Sequence, residues 1–415
     1  MTADADTGIH TDTCAGTHAE PGAGMRGTPT SALLPALAAR ARAAAHPHAP
    51  AAPCACGSTP LADREDATVV RHADTVAKAH APDTDPAALA HRVITAARHP
   101  DLLLPPLTPA PAPLHERLVT FWPYGTPVDP EDPDAAPWEA AAALLARLHR
   151  SPVPAGLPPM RGPAKAARAV GRLHTALRTR ATTATSATRA TTPATPTTAA
   201  HPTTAAHPTT AAHPAPDARP APDARPAPDA RLAPDARPAP DARPAPDARL
   251  APDARPVLAA WAALPAWARA AAPMPGPAAL CHGDLHLGQL VRHPAPDGPW
   301  KLIDVDDLGA GVPAWDLARP AAWYACGLLP PDEWIRFLTA YRRAGGPAVP
   351  PDGDPWPALD VPARALTVQT AALAITKALA ADRPLDEVQQ AVVDACARMP
   401  AEAASRTPHP PCPGS

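Results

Sequence analysis

The feature that most limits what this chain can build is a run of near-identical repeats in its middle. Thr-Thr-Ala-Ala-His-Pro occurs three times from Thr197 to Pro214, and Ala-Pro-Asp-Ala-Arg then occurs seven times at a six-residue period from Ala215 to Arg255. Across residues 181–256 the only large apolar side chains are Leu232 and Leu250. Stacked repeats need an apolar face to bury against the next unit, and these have none. Each proline also removes a backbone donor and turns the residue before it away from helix. Residues 181–256 are therefore expected to be a disordered, low-complexity insertion, extended and solvated. Residues 1–58 read as a mostly disordered N-terminal segment with a short helix around Ser31–Ala45, and residues 401–415 as a disordered tail.

With those stretches set aside, two ordered blocks remain, 59–123 and 124–400. Lys plus Arg number 37 against 40 acidic residues, a net charge of −3, which argues against a general nucleic-acid binder. No run of about 18 large apolar residues exists to span a membrane. The acidic start, Met1 to Asp6, lacks the apolar core of a secretory signal. Seven Cys, scattered and odd in number, suit reduced thiols in a cytoplasmic setting better than a disulfide framework. The oligomeric state is left open.

The first block is small and sheet-rich. Thr68 to His80 contains two β-branched runs around a tight turn, which predicts a hairpin. An Ala-rich helix follows from Pro86 to about Arg98, and Leu118–Trp122 reads as a further strand stopped by Pro123. The second block is mostly helical. Trp138, Ala141, Ala142, Leu145 and His149 fall on one helical face, as do Trp334, Phe337, Leu338 and Tyr341. Leu385, Val388, Val392, Cys396 and Met399 repeat the spacing near the end. A second hairpin interrupts these helices, with Gln289–Arg292 and Trp300–Ile303 flanking a Pro/Asp/Gly turn. The plan is α+β, a small β-rich N-lobe and a larger helical C-lobe carrying the insertion.

The densest polar cluster flanks that second hairpin: Cys281-His-Gly-Asp-Leu-His-Leu-Gly-Gln289 before it, and Ile303-Asp-Val-Asp-Asp307 after it. A hairpin draws its outer ends together, so Asp284 and Asp304 are expected to share one small volume. Gathered carboxylates repel one another unless a cation or a general-base role accounts for them. With Gln289 as a neutral oxygen ligand, the set suits Mg²⁺ better than Zn²⁺. Only four basic residues are Lys: Lys78, Lys165, Lys301 and Lys377. A Lys within a β-branched strand, as at 78, can hold phosphate oxygens as a point charge.

These residues resemble a known family. His282-Gly-Asp284, Gln289 five residues after the Asp, Ile303-Asp304, and Trp315-Asp316-Leu-Ala are similar to the aminoglycoside phosphotransferases, small-molecule kinases with a protein-kinase-like fold. The order Lys, catalytic Asp, amide ligand, metal Asp is also that of the protein kinases. The resemblance runs from about Leu61 to Met399 without the insertion, and is strongest from Leu280 to Ala318. It implies that Asp284 accepts or orients the proton of an attacking substrate hydroxyl. Gln289 and Asp304 would hold Mg²⁺, and Lys78 would contact the phosphates of ATP. Phe121, Trp122 and Tyr124 would lie at the hinge beside the adenine, and Asp316 would brace the catalytic loop. The chain departs from the family pattern in three places. Gln289 stands where Asn is usual, Ala88–Arg92 holds no Glu to pair with Lys78, and Leu61–Ala67 holds no glycine.

The resemblance thus implies an ATP- and Mg²⁺-dependent kinase acting on a small-molecule hydroxyl, with no nucleic-acid or membrane partner. A nucleotide-binding pseudokinase acting as an interaction module is the alternative. A metal-dependent hydrolase shares the carboxylates but gives Lys78 no task. Cys54-Ala-Cys56 near His46 and His48 lacks Cys-x₂-Cys spacing and reads as coincidence rather than a zinc site. Asp306 and Asp307 read equally well as metal contacts or as a solvated turn.

Overall fold

The structure is a computed structural model that describes residues 30–48, 54–132, 135–190 and 246–399. The expectations for residues 1–29, 191–245 and 401–415 lie outside the described residues. Residues 1–176 and 246–415 make one compact unit, which holds the candidate site, and residues 177–245 form a second.

The first block folds as an antiparallel sheet backed by a helix. Helix α1 (Thr30–Ala45) precedes β1 (Ser58–Asp63), β2 (Thr68–His72) and β3 (Thr75–Ala79). Helix α2 (Pro86–Arg98), β4 (Ala112–Leu114) and β5 (Arg117–Pro123) complete it. The sheet order is β1-β2-β3-β5-β4 with every pair antiparallel, and Lys78 sits opposite Thr120. Alternation assigns the faces. Val70, Ala77, Ala79, Val119 and Phe121 pack with Leu33, Leu37 and Ala41 of α1. Those α1 positions recur every fourth residue, so the helix lays one stripe on the sheet. Lys78, Thr120 and Trp122 have the opposite parity and lie on the other face. Asp85 caps α2 by accepting from the Ala87 and Ala88 amides, and Pro86 supplies the first helical residue.

The second block contains helices α3 (Trp138–Arg150), α4 (Gly162–Ala190), α5 (Pro246–Ala263), α6 (Ala318–Ala325), α7 (Pro331–Arg343), α8 (Trp356–Ala380) and α9 (Glu387–Arg398). Among them run the short strands β6 (Thr126–Pro127), β7 (Ala279–Cys281), β8 (Leu290–Arg292), β9 (Trp300–Leu302) and β10 (Gly309–Gly311). Strands β6, β8 and β9 form one small sheet, and β7 pairs with β10 in another. The predicted stripes of α3 and α7 are buried, and Trp138 meets Phe337 edge to face at 6.0 Å.

Two details differ from the sequence reading. Val388 is 46% exposed, and the buried stripe of α9 runs through Val392, Val393, Ala395 and Cys396. Relative to the predicted stripe, the buried face is rotated toward Val393. Helix also enters the 181–256 insertion at both ends, since α4 continues to Ala190 and α5 begins at Pro246. At the second end Ala254, Val257 and Ala260 are buried. They supply the apolar face that the repeats lack, so the helix propagates back into the last repeat copies. No helix among the described residues is long and apolar enough to cross a membrane.

Candidate active site

His282, Gly283 and Asp284 follow directly on β7. Gly283 has φ +88°, and a Cβ there would meet the Asp307 carbonyl oxygen at 2.4 Å, so the position admits only glycine. The turn is braced by Asp316, which accepts from the His282 amide at 2.6 Å and the Gly283 amide at 2.7 Å. Asp316 is in turn held by His149 Nε2 at 2.9 Å, and His149 Nδ1 lies 2.7 Å from the Tyr341 hydroxyl. That hydroxyl accepts from the Ala348 amide at 3.0 Å, which leaves its own proton for His149. Burial pushes the Tyr341 phenol up, so the proton stays in place. His149 is thus a packed helix-end residue with both ring nitrogens engaged.

The hairpin ends meet as its topology requires. His282 Nε2 donates to the Ile303 carbonyl at 2.8 Å, and the Ile303 amide donates to the Gln289 carbonyl at 2.9 Å. Asp304 then adopts the left-handed backbone, φ +63°, and its side chain accepts from the Asp306 amide. Asp304 Oδ1 receives Lys78 Nζ at 2.6 Å, while the Gln289 side-chain amide lies 3.5 Å from Oδ2.

Lys78 also reaches Asp306 Oδ2 at 3.0 Å. The carboxylate missing from α2 is therefore supplied two residues beyond Asp304. Helix α2 places Arg92 there instead, donating to the Leu308 carbonyl at 2.8 Å. Burial alone would lower the Lys78 pKa, but Asp304 and Asp306 outweigh it and raise it, so the ammonium is permanent. Asp306 Oδ1 lies 2.9 Å from His80 Nδ1. Its pKa is held well below the usual carboxylate range, against its burial, by Lys78 and His80. His80 Nε2 meets Thr120 Oγ1 at 2.8 Å, and Trp122 Nε1 donates to the same oxygen at 2.8 Å. A chain of polar contacts therefore links Trp122 to the carboxylates.

Asp284 is held by two cations from elsewhere. Lys165 Nζ donates to its Oδ2 at 2.6 Å and to Asp307 Oδ2 at 2.7 Å; Arg319 Nη2 donates to its Oδ1 at 2.8 Å. Burial favours the protonated acid, but Lys165 and Arg319 prevail and hold Asp284 far below the ordinary range. Asp307 goes the other way. Burial raises its pKa, Lys165 opposes this, and Asp284 and Asp304 add repulsion. His286 is pushed down to about 4 by burial and by Arg319, so its ring is neutral at physiological pH. Asp307 is buried and Asp306 ion-paired, so this segment is not a solvated turn.

The structure thus brings together Lys78, Asp304 and Gln289, and joins Asp284 to the Asp304–Asp307 segment through Lys165. The aromatic positions divide. The Phe121 side chain packs in the core against α1, on the face opposite Lys78. Trp122 lies on the Lys78 face, and the Arg71 guanidinium stacks over the Tyr124 ring at 3.4 Å from its centroid. Sequence reasoning gave no role to Lys165, Arg319 or His80. One signal for Lys165 was legible: a cation in the first turn of α4 opposes the helix dipole, so some other charge must favour it there.

With this geometry in view, the chain was compared with known proteins. The model of the APH group, described as the phosphotransferase enzyme family, matches residues 57–361. The chain belongs to this family. Among solved structures it is similar to a choline/ethanolamine kinase family protein from Mesorhizobium loti, at 17% identity and TM-score 0.41, over 89% of this chain and 96% of that one. It is also similar to the macrolide 2′-phosphotransferase MphH from Brachybacterium faecium, at 17% identity and TM-score 0.37, over 89% and 98%. A third is spectinomycin phosphotransferase in complex with ADP and spectinomycin, at 10% identity and TM-score 0.46, over 83% and 90%. A comparison with curated proteins found no match.

Proposed function

We propose that this phosphotransferase moves the γ-phosphoryl group of ATP to a hydroxyl of a small molecule, with Mg²⁺ as the required ion. The observation that carries the reading is the cluster itself. A strand lysine of the sheet, Lys78, meets Asp304 at 2.6 Å, and Asp284 belongs to the same charged set through Lys165. Phosphoryl transfer asks a protein chiefly to position groups and to balance charge. The donor set fits the ion: Asp304, the most open of these carboxylates with a side chain 33% exposed, stands beside Gln289, and both offer hard oxygen. Asp304 and Gln289 would hold Mg²⁺, which when bound neutralises phosphate charge. Lys78 binds phosphate oxygens from the sheet side. Asp284 orients the attacking hydroxyl and takes up its proton as the bond forms. A strong base is not needed there, because the transition state is loose. Trp122 and Tyr124 border the adenine, to which Phe121 contributes backbone only.

A second reading, nucleotide binding without turnover, draws on one observation: both oxygens of Asp284 are already engaged by Lys165 and Arg319. One experiment separates the two. Thermal shift with ATP and Mg²⁺ reports binding, and an ATP-consumption screen over sugars, amino alcohols and aminoglycosides reports transfer. Binding with turnover stimulated by one acceptor class supports the kinase. Binding with no stimulation by any class supports the module, and no binding at all removes both.

A further inference from the structure

A second cluster lies behind the sheet, on the α1 side, and the phosphotransfer reading makes no use of it. His46 stands just past the end of α1, Cys54 and Cys56 lead into β1, and His72 ends β2. One ligand atom from each of the four, two thiol sulfurs and two imidazole nitrogens, lies within 4.8 Å of all the others. We propose that these residues form a Cys₂His₂ structural zinc site that fastens α1 to the sheet.

The separations carry the argument. With Zn–N near 2.0–2.1 Å and Zn–S near 2.3 Å, tetrahedral geometry puts two nitrogens about 3.3 Å apart, and a sulfur and a nitrogen about 3.6 Å apart. His72 Nε2 lies 3.3 Å from His46 Nε2 and 3.4 Å from Cys54 Sγ. The rings meet edge to face, centroids 5.3 Å apart, so their Nε2 lone pairs can converge on one point rather than stack past it. The second shell is also present. Ser58 Oγ sits 2.9 Å from His72 Nδ1, and by accepting that proton it fixes the tautomer whose bare Nε2 faces the cluster. Thiolate and imidazole are the ligands zinc prefers, and two thiolates neutralise its charge.

A second group of such side chains among the described residues, this one fully buried, shows the contrast. His149 and Asp316 there spend their ligand atoms on the Tyr341 hydroxyl and the catalytic-loop amides, leaving no lone pairs pointed at a common centre. The spacing Cys-x-Cys hides the first site from sequence because its other two ligands come from α1 and from β2. Its position explains its use. His72 shares the sheet face of Val70, which packs on α1, whereas Lys78 occupies the opposite face. The metal would therefore hold the helix against the sheet without touching the phosphate side.

The test uses the full chain, produced in zinc-supplemented medium, freed of any tag and purified without chelator. Elemental analysis is expected to find about one zinc per chain, and Cys54→Ser with Cys56→Ser to lose it while circular dichroism stays native-like. Cys326→Ser, away from the cluster, should keep it. Cobalt replacement should give the visible bands of a tetrahedral ion together with thiolate charge transfer. Without any variant, chelation should expose two further reactive thiols and lower the melting temperature. A folded protein that carries no zinc and gives no cobalt bands overturns the proposal. So does zinc retained by the double Cys variant, or a chelation that exposes no thiol.

Discussion

Replacing Lys165 by Met tests the electrostatics of the site without any need to know the substrate. The side chain keeps its length and loses its charge, leaving Asp284 and Asp307 facing each other across a partly buried space. Breaking a buried pair by removing one partner costs about 3–5 kcal/mol. Two cations remain to soften that here: Arg319 on Asp284 at 2.8 Å and Arg161 at 3.6 Å from Asp307. The expected loss at pH 7.5 is therefore about 2–3 kcal/mol in urea unfolding. The pH dependence has a definite sign. In the native chain the depressed Asp284 pKa adds stability that is present above the unfolded value, near 3.9, and is lost as pH falls through the folded one. Without Lys165 both folded pKa values rise: Asp307, already raised by burial, goes further up, and Asp284 keeps only Arg319 to oppose its burial. The carboxylates then destabilise the fold increasingly as pH rises through those raised values, so the deficit grows from pH 5 to pH 8. Adding Asp307→Asn to Lys165→Met removes the repulsion and should recover at least about 1 kcal/mol at pH 7.5, a clear non-additivity. A Lys165→Met protein as stable as the native one across this range, or a double variant no better than the single, would refute the reasoning.

Four further outcomes are expected. Asp284→Asn should lower phosphoryl transfer by about 10³-fold while the ATP-induced thermal shift persists, and unchanged turnover would remove its role. Lys78→Met should abolish most of that thermal shift, measured at saturating Mg²⁺, because the sheet then loses the ammonium that faces Asp304, and the Arg71 guanidinium on the same face is stacked on Tyr124. Gly283→Ala should cost at least about 2 kcal/mol in urea unfolding, since its Cβ would press on the Asp307 carbonyl at positive φ. Mg²⁺ alone should shift the melting temperature little, ATP with chelator somewhat, and the two together most; a large shift with Mg²⁺ alone would contradict the charge argument below.

The sequence made the hairpins and the α3 and α7 stripes legible because each is local: β-branched runs around turn residues, or apolar residues at helical spacing. It also made the meeting of the hairpin's own ends legible, where His282 donates to the Ile303 carbonyl and Lys165 bridges Asp284 to Asp307. What it missed travels further along the chain. Lys165 and Arg319 meet Asp284 from sequence distances of 119 and 35 residues, and no periodicity links them. Asp306 stayed open between a metal contact and a solvated turn because its partners, Lys78 on β3 and His80 just past it, lie more than 200 residues earlier. Phe121 and Trp122 were grouped as neighbours, yet strand alternation sends them to opposite faces. Cys54 and Cys56 read as coincidence from their spacing and loose surroundings, because nothing in the sequence shows that His72 stands beside them.

Charge balance connects the departures from the family pattern. Four carboxylates, Asp284, Asp304, Asp306 and Asp307, are met at short range by Lys78, Lys165 and Arg319. Each lysine bridges two of them, so the set is nearly neutral in itself. A bare divalent ion entering it must displace an ammonium from its partner and add positive charge beside the ones already present. In the proposed reading a triphosphate arriving with the ion would reverse this, because its oxygens would give the ammoniums a new anionic partner. The two lysines, Lys78 on Asp304 and Asp306 and Lys165 on Asp284 and Asp307, would then take the task that backbone amides of a glycine-rich loop perform elsewhere. In the proposed reading, a β1–β2 turn without glycine, closed by the Arg64 amide on the Ala67 carbonyl at 2.9 Å, is compatible with phosphate binding because the phosphates are held from the other side.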